Sequence, residues 1–179
     1  MQSKLMRSLL FLIIILVWGV DSGWPQAQAP VQPVNFKELL PFVKIELPGW
    51  ELVKEPEGMT MKHPGMMMSQ AGAEYKSGEK SLEINVVDSS MTPMAGANFG
   101  LMKGLEVEST DGTTKNIEVQ GFQAIEQYQQ NDQEAHLTIM VGNRFIVNLK
   151  GEELENTQVL KDAAAKMDLN KLASLASAQ

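Results

Sequence analysis

The sequence predicts an α+β domain built on a single antiparallel β-sheet of about six to seven strands, with helices on two sides. Two observations predict it. Apolar residues alternate with polar ones in run after run between Met67 and Leu149, the period of a half-buried strand. Several of these runs are separated by only two to five residues, enough for a hairpin and too few for a parallel crossover. Helical patterns stand before, between and after the strands, giving the order helix, strand, hairpin, helix, four-strand meander, helix.

The elements follow in order. Asn35-Phe36-Lys37-Glu38 reads as a capping box, with Asn35 as N-cap and Glu38 at N3. Pro41 is expected to stop that helix. Pro48-Gly49 is a turn and Trp50–Lys54 a strand. Glu55-Pro56-Glu57-Gly58 reads as a loop, followed by the methionine segment Met59–Met68. Met67, Ala71, Ala73 and Tyr75 then share one strand face, and Gln70, Gly72 and Glu74 the other. Lys76–Lys80 is a hairpin loop, and Leu82, Ile84 and Val86 line the buried face of the return strand.

Thr92 and Pro93 read as N-cap and first residue of a helix with Met94, Ala97, Leu101 and Leu105 on one stripe. Gly96, Gly100 and Gly104 suit close packing of that helix on a sheet. Four strands follow, marked by Ile117 and Val119, by Phe122, Ala124 and Tyr128, by Leu137, Ile139 and Val141, and by Phe145, Val147 and Leu149. Gln120-Gly121, Asn131–Gln133 and Gly142-Asn143 are the turns between them. Met140 and Ile146 fall on the opposite face of the last two strands, which calls for cover on both sides of the sheet. A helix starts at Asn156 or Thr157, with Leu160, Ala163, Ala164 and Met167 on one side. Glu152, Glu153 and Glu155 precede it, where acids suit the helix dipole. A short last helix runs from Lys171 to Ala176.

The N-terminus has the layout of a secretory signal peptide. Lys4 and Arg7 form a positive region, Ser8–Val20 an apolar one, and Ala27-Gln28-Ala29 a small-residue cleavage pattern. The apolar run has 13 residues, short of the ~20 a spanning helix needs. Residues 1–29 are thus read as a signal peptide cleaved between 22 and 29, residues 30–34 as a linker, and residues 35–179 as one domain. Three prolines and three glutamines between Ser22 and Val34 fit a linker. The expected location is periplasmic or secreted, with membrane contact only through an uncleaved leader.

Composition narrows the function. The chain has 179 residues, 44 % hydrophobic and 21 % charged, which excludes global disorder. It has no cysteine, so it lacks a disulfide framework, a thiol nucleophile and a zinc ribbon. The net charge is −7, the wrong sign for a duplex nucleic-acid binder. Without the leader the charge becomes −8, and Arg144 is the single arginine left.

The element order resembles the PsbP-like fold, an α/β/α sandwich group that includes the extrinsic photosystem II protein and small exported bacterial proteins of the DcrB type. The resemblance covers most of residues 36–170. It rests on that order and on Leu47-Pro48-Gly49-Trp50, the hairpin from Tyr75 to Asp88, the mid-chain helix, and Val119-Gln120-Gly121-Phe122-Gln123-Ala124. It implies an accessory or binding role and carries over no functional residue.

No catalytic constellation stands out. His63 and His136 are the two histidines, and the sequence holds no nucleophile elbow, P-loop or dinucleotide fingerprint. His136 alternates with Leu137 in a strand and reads as packed or surface-facing. Glu106/Glu108 and Glu152/Glu153 read as acidic surface or a helix start, and Asp111-Gly112 as a turn. A non-enzymatic protein is expected, with another envelope protein or a small ligand as partner.

One segment is unusual. Five of the ten residues from Met59 to Met68 are methionine, and His63 stands among them. Thioether sulfur is soft and uncharged, so it suits Cu(I) or Ag(I) better than zinc or magnesium. Met59, Met61, His63, Met66 and Met68 are therefore candidate metal ligands. In an extended chain Met59 and Met61 point one way, as do Met66 and Met68, and a bend at Pro64-Gly65 brings the pairs together. The same residues also suit an adaptable contact surface, or simple packing. Met67 is assigned to the core face, as are Met91, Met94, Met102 and Met167 by helical spacing.

Overall fold

The computed structural model describes residues 32–63, 66–89, 99 and 103–177. The leader, and most of the helix expected over Thr92–Leu105, lie outside these residues. Among the described residues nine strands form one antiparallel sheet: β1 (Glu51–Leu52), β2 (Glu57–His63), β3 (Met66–Ser77), β4 (Lys80–Ser89), β5 (Glu106–Glu108), β6 (Gly112–Val119), β7 (Phe122–Gln129), β8 (Glu134–Val141) and β9 (Phe145–Glu152). The helices with both ends among the described residues are α1 (Phe36–Val43), α2 (Gln158–Lys166) and α3 (Leu169–Ser177). The spatial order is β1-β3-β4-β9-β8-β7-β6-β5, and β2 continues the edge made by β1, also pairing with β3. The meander β6–β9 thus returns its last strand to β4.

The α+β class with a single antiparallel sheet is as the sequence predicts, but the sheet is larger. The described part of the methionine segment, with Glu57 and Gly58 of the expected loop, is strand β2 and the start of β3, and Glu106–Glu108 adds β5. Both added strands are edge strands with half-exposed or exposed residues on both faces. They therefore lack the apolar alternation by which a half-buried strand is recognised.

The alternation does mark one face of the sheet as the core. Ala71, Ala73 and Tyr75 of β3 lie beside Leu82, Ile84 and Val86 of β4, Val147 and Leu149 of β9, and Leu137 and Ile139 of β8. Leu39, Phe42 and Val43 of α1, Leu160, Ala163 and Ala164 of α2, and Leu169 and Leu172 of α3 join the same cluster. Each large aliphatic side chain removed from water here contributes about 1.5–3 kcal/mol. The described helices all pack on this one face. The cover expected on the other face, over Thr92–Leu105, falls mostly outside the described residues; at its end Lys103 and Gly104 form a turn, with Gly104 at positive φ, and Leu105 is exposed, so the expected helix does not run to Leu105. Met140 on that face is nonetheless only 5 % exposed.

Local chemistry fixes the ends. Asn35 caps α1 by accepting from the Lys37 N–H at 3.0 Å. Pro41 does not stop α1, contrary to the expectation above: it sits inside the helix, exposed, while Leu39, Phe42 and Val43 are buried. Burial of those three offsets the one backbone bond the proline removes. The Tyr75 hydroxyl donates to the Val43 carbonyl at 2.7 Å and accepts from the Ile45 N–H at 2.8 Å, closing the C-terminal end of α1 onto β3. Gln120 and Gly121 both have positive φ, 52° and 83°, as a type I′ hairpin turn requires. From this turn Gln120 Nε2 donates to the carbonyls of Ala164 and Met167, each at 2.9 Å, and caps the end of α2. The last helix starts two residues earlier than expected, at Leu169, with Asp168 Oδ1 accepting from the Lys171 N–H.

The segment read as the end of a linker is anchored. Val34 is buried, and its N–H donates to Asp88 Oδ2 at 2.8 Å. Arg144 grips the same carboxylate in two-pronged fashion, Nε to Oδ1 at 3.0 Å and Nη2 to Oδ2 at 2.9 Å. Nη2 also donates to the Gln32 carbonyl at 2.9 Å, and the guanidinium lies over the Phe145 ring. The Asp88 side chain is only 3 % exposed, so its charge depends on these partners. No helix among the described residues is long and apolar enough to cross a membrane.

Candidate functional site

β2 and β3 form a hairpin whose register pairs Met61 with Met68, His63 with Met66, Met59 with Gln70 and Lys62 with Met67. Residues directly opposite in an antiparallel pair share a face, and faces alternate along each strand. Met59, Met61, His63, Met66 and Met68 therefore stand together on one face, with Gln70. All five residues proposed from the sequence are brought to a common surface. The bend that joins them, Pro64-Gly65, lies outside the described residues. Met67 falls on the opposite, core-side face as expected, but only half-buried, opposite Lys62.

The opposite face of the hairpin holds it in place. The Thr60 hydroxyl lies 2.6 Å from the Ser69 hydroxyl and accepts from the Phe36 N–H at 3.0 Å, tying the hairpin to the start of α1. Gly58 leaves room for this approach: a Cβ there would sit 2.8 Å from Phe36 Cδ2 and 2.6 Å from the Gln70 carbonyl. The methionine face is thus presented on a strand pair fixed from behind. Met59 is 45 % exposed and Met66 39 % exposed, while Met61 and Met68 are half-buried.

Beside Met59 opens a groove of about 590 Å³ on the same face of the sheet. Its walls carry Glu57, Glu74, Glu83 and Glu152, with Lys54 and Asn85. Glu74 and Glu83 stand opposite each other on β3 and β4. This groove escapes a sequence reading because its carboxylates come from four separate strands and, with Glu55, from the loop before β2. Among the described residues, no group of three or more histidine or carboxylate side chains is arranged to hold a metal ion.

The remaining candidates are structural. His136 Nε2 meets Glu134 Oε1, and Lys150 Nζ lies 3.2 Å from Glu134 Oε2 and 2.9 Å from Glu152 Oε1. Burial works against the Glu134 charge, but the bonds to His136 and Lys150 outweigh it and hold its carboxyl below the usual glutamate range. The hydrogen bond from Lys150 does the same for Glu152, and that from Lys115, at 2.8 Å, for Glu106. The Glu134–Lys150 and Glu106–Lys115 pairs join neighbouring strands, and the Glu152–Lys150 pair lies within β9. Asp111 and Gly112 form the expected turn: the Ser109 N–H donates to the Gly112 carbonyl at 2.9 Å.

No protein-family model and no curated protein matches the chain. Among solved structures it is similar to an uncharacterised Mycobacterium smegmatis protein at 9 % identity, covering 68 % of this chain and 90 % of that one, with a TM-score of 0.33. A likeness that distant carries no property across.

Proposed function

We propose that the protein is an exported, non-enzymatic accessory or binding protein of the bacterial periplasm or envelope, and that it binds through the methionine face of the β2–β3 hairpin. The observation that carries this reading is the gathering of five soft side chains on one face of an edge hairpin, with Met59 and Met66 left substantially exposed. Unbranched thioether arms adapt to varied contact shapes. The leader pattern supports export. The accessory role is the one implied by the PsbP-like element order. The partner is another envelope protein or a small ligand.

The test uses protein labelled with ¹³C at the methionine methyl groups. Envelope extract is split into macromolecular and small-molecule fractions, and each is added in turn. Shifts at Met59, Met61, Met66 and Met68, with buried Met140 and Met167 unmoved, support the reading. Silence from both fractions, or shifts confined to the buried pair, overturns it. N-terminal sequencing of the native protein checks export, and a retained leader in the cytoplasm refutes it.

A further inference from the structure

Resting on the reading of this face as the binding surface, we propose that it holds a soft monovalent metal ion, Cu(I) or Ag(I), between the two arms of the hairpin through Met61, Met68, His63 and Met66. These four are two successive cross-strand pairs on one face. Opposite Cα atoms in such a ladder are roughly 4.5–5.5 Å apart, and same-face neighbours along a strand about 6.7 Å. The four Cα atoms thus frame a rectangle whose centre is roughly 4 Å from each. Three thioethers on arms with three rotatable bonds, and one imidazole, rise from its corners on the same face and converge on an ion held above that centre, over the Lys62–Met67 rung.

Charge and softness choose the ion. The quartet offers no anionic donor, so a divalent ion would sit there with its charge uncompensated, whereas a monovalent one loses far less hydration. Thioether and imidazole donors match Cu(I) and Ag(I) and are poor ligands for calcium or magnesium. The carboxylates of the neighbouring groove begin beyond the Met59–Gln70 rung, on the side away from the quartet. Met59 stands on that rung and flanks the site. Exposure separates this set from packing methionines: Met167 is 3 % exposed, against 39 % for Met66. Binding is coordination by sulfur and nitrogen lone pairs alone. No electron is transferred, and no proton leaves a thioether.

The test titrates the purified, methyl-labelled protein with silver nitrate in chloride-free buffer, and with Cu(I) under anaerobic competition from a chromophoric chelator. The expected result is one equivalent bound, with shifts at the Met61, Met66 and Met68 methyls and the His63 ring, Met140 and Met167 unmoved, and no response to Zn(II). Met61→Leu/Met68→Leu, which keeps side-chain size, and His63→Gln should each weaken binding at least about tenfold, since even outer partners of a metal site cost that much. Absence of stoichiometric binding, or binding unchanged in both variants, overturns the proposal. Shifts from the macromolecular fraction without a response to either ion remove the metal and leave the binding surface. Silence in both experiments removes both.

Discussion

Arg144→Met tests how the N-terminal segment is held. The substitution keeps an aliphatic arm over Phe145 and removes the guanidinium. Asp88 is then left with a side chain 3 % exposed and, of its three hydrogen bonds described above, only the one from Val34. Stranding a buried charge in this way costs about 3–5 kcal/mol. With a urea m-value of about 2 kcal/mol/M, the unfolding midpoint should fall by about 1.5–2.5 M. Trp50 fluorescence and far-ultraviolet circular dichroism report the transition, and their coincidence checks two-state behaviour. Asp88→Leu/Arg144→Met removes both charges and leaves the Val34 N–H as the unpaired group, a cost of about 1–3 kcal/mol. The double variant should therefore be more stable than Arg144→Met alone. A single-variant loss below about 1 kcal/mol, the value of an exposed pair, would refute the reasoning. So would a double variant that loses the sum of the two single changes.

Tyr75→Phe should cost about 1–3 kcal/mol, because the Val43 carbonyl and Ile45 N–H lose their shared partner; denaturant unfolding measures it. Burial, only partly offset by the Ile45 N–H and Lys44, raises the pKa of the Tyr75 phenol. The stability this carries is full below the ordinary tyrosine value of about 10 and is lost as pH rises through the folded value. A spectrophotometric titration should show one tyrosine ionising late. At the acid end the sign is reversed. Glu106, Glu134 and Glu152 are held below the ordinary glutamate value, so their contribution is present above about 4.3 and lost as pH falls through their folded values. Thermal melts from pH 7 to 3 should show a shallower acid limb for Glu134→Gln than for the parent. Gly112→Ala should destabilise by about 1–3 kcal/mol, since its Cβ would meet the Tyr128 carbonyl oxygen at 1.9 Å; an unchanged melting temperature would contradict it.

What was legible in the sequence follows from how local each cause is. The core faces of β3, β4, β8 and β9 are written in period-2 alternation, and their turns in residues that accept positive φ, such as Gln120-Gly121 and Gly142-Asn143. Helix α2 announced its buried side through Leu160, Ala163 and Ala164. β2 was not legible as a strand, because Glu57–His63 is held by pairing to β3 and by α1 behind it, both non-local. Pro41 misled for a related reason: the burial of Phe42 and Val43 that carries α1 past it is a tertiary event. The candidate site was half legible. Spacing showed which methionines share a side within each strand. The joining of the two sets depends on the parity of the connection: His63 opposite Met66 aligns odd positions of β2 with even positions of β3, and a slip of one residue would set Met61 against Met67.

The position of that hairpin also has a kinetic consequence. The described pairing of β3 with β4 ends at Met68 and Ser89, while its pairing with β2 continues to Met66 and His63. Thr60 and Ser69 are anchored to α1, but Met61, His63 and Met66 lie on the far side of that anchor from the helix. Amide protons at the end of β2 should therefore exchange with solvent through local opening, well before those of β4 and β9 exchange through global unfolding. Anything that grips both arms must close this opening to bind, and the protection it confers should appear first at Lys62 and His63.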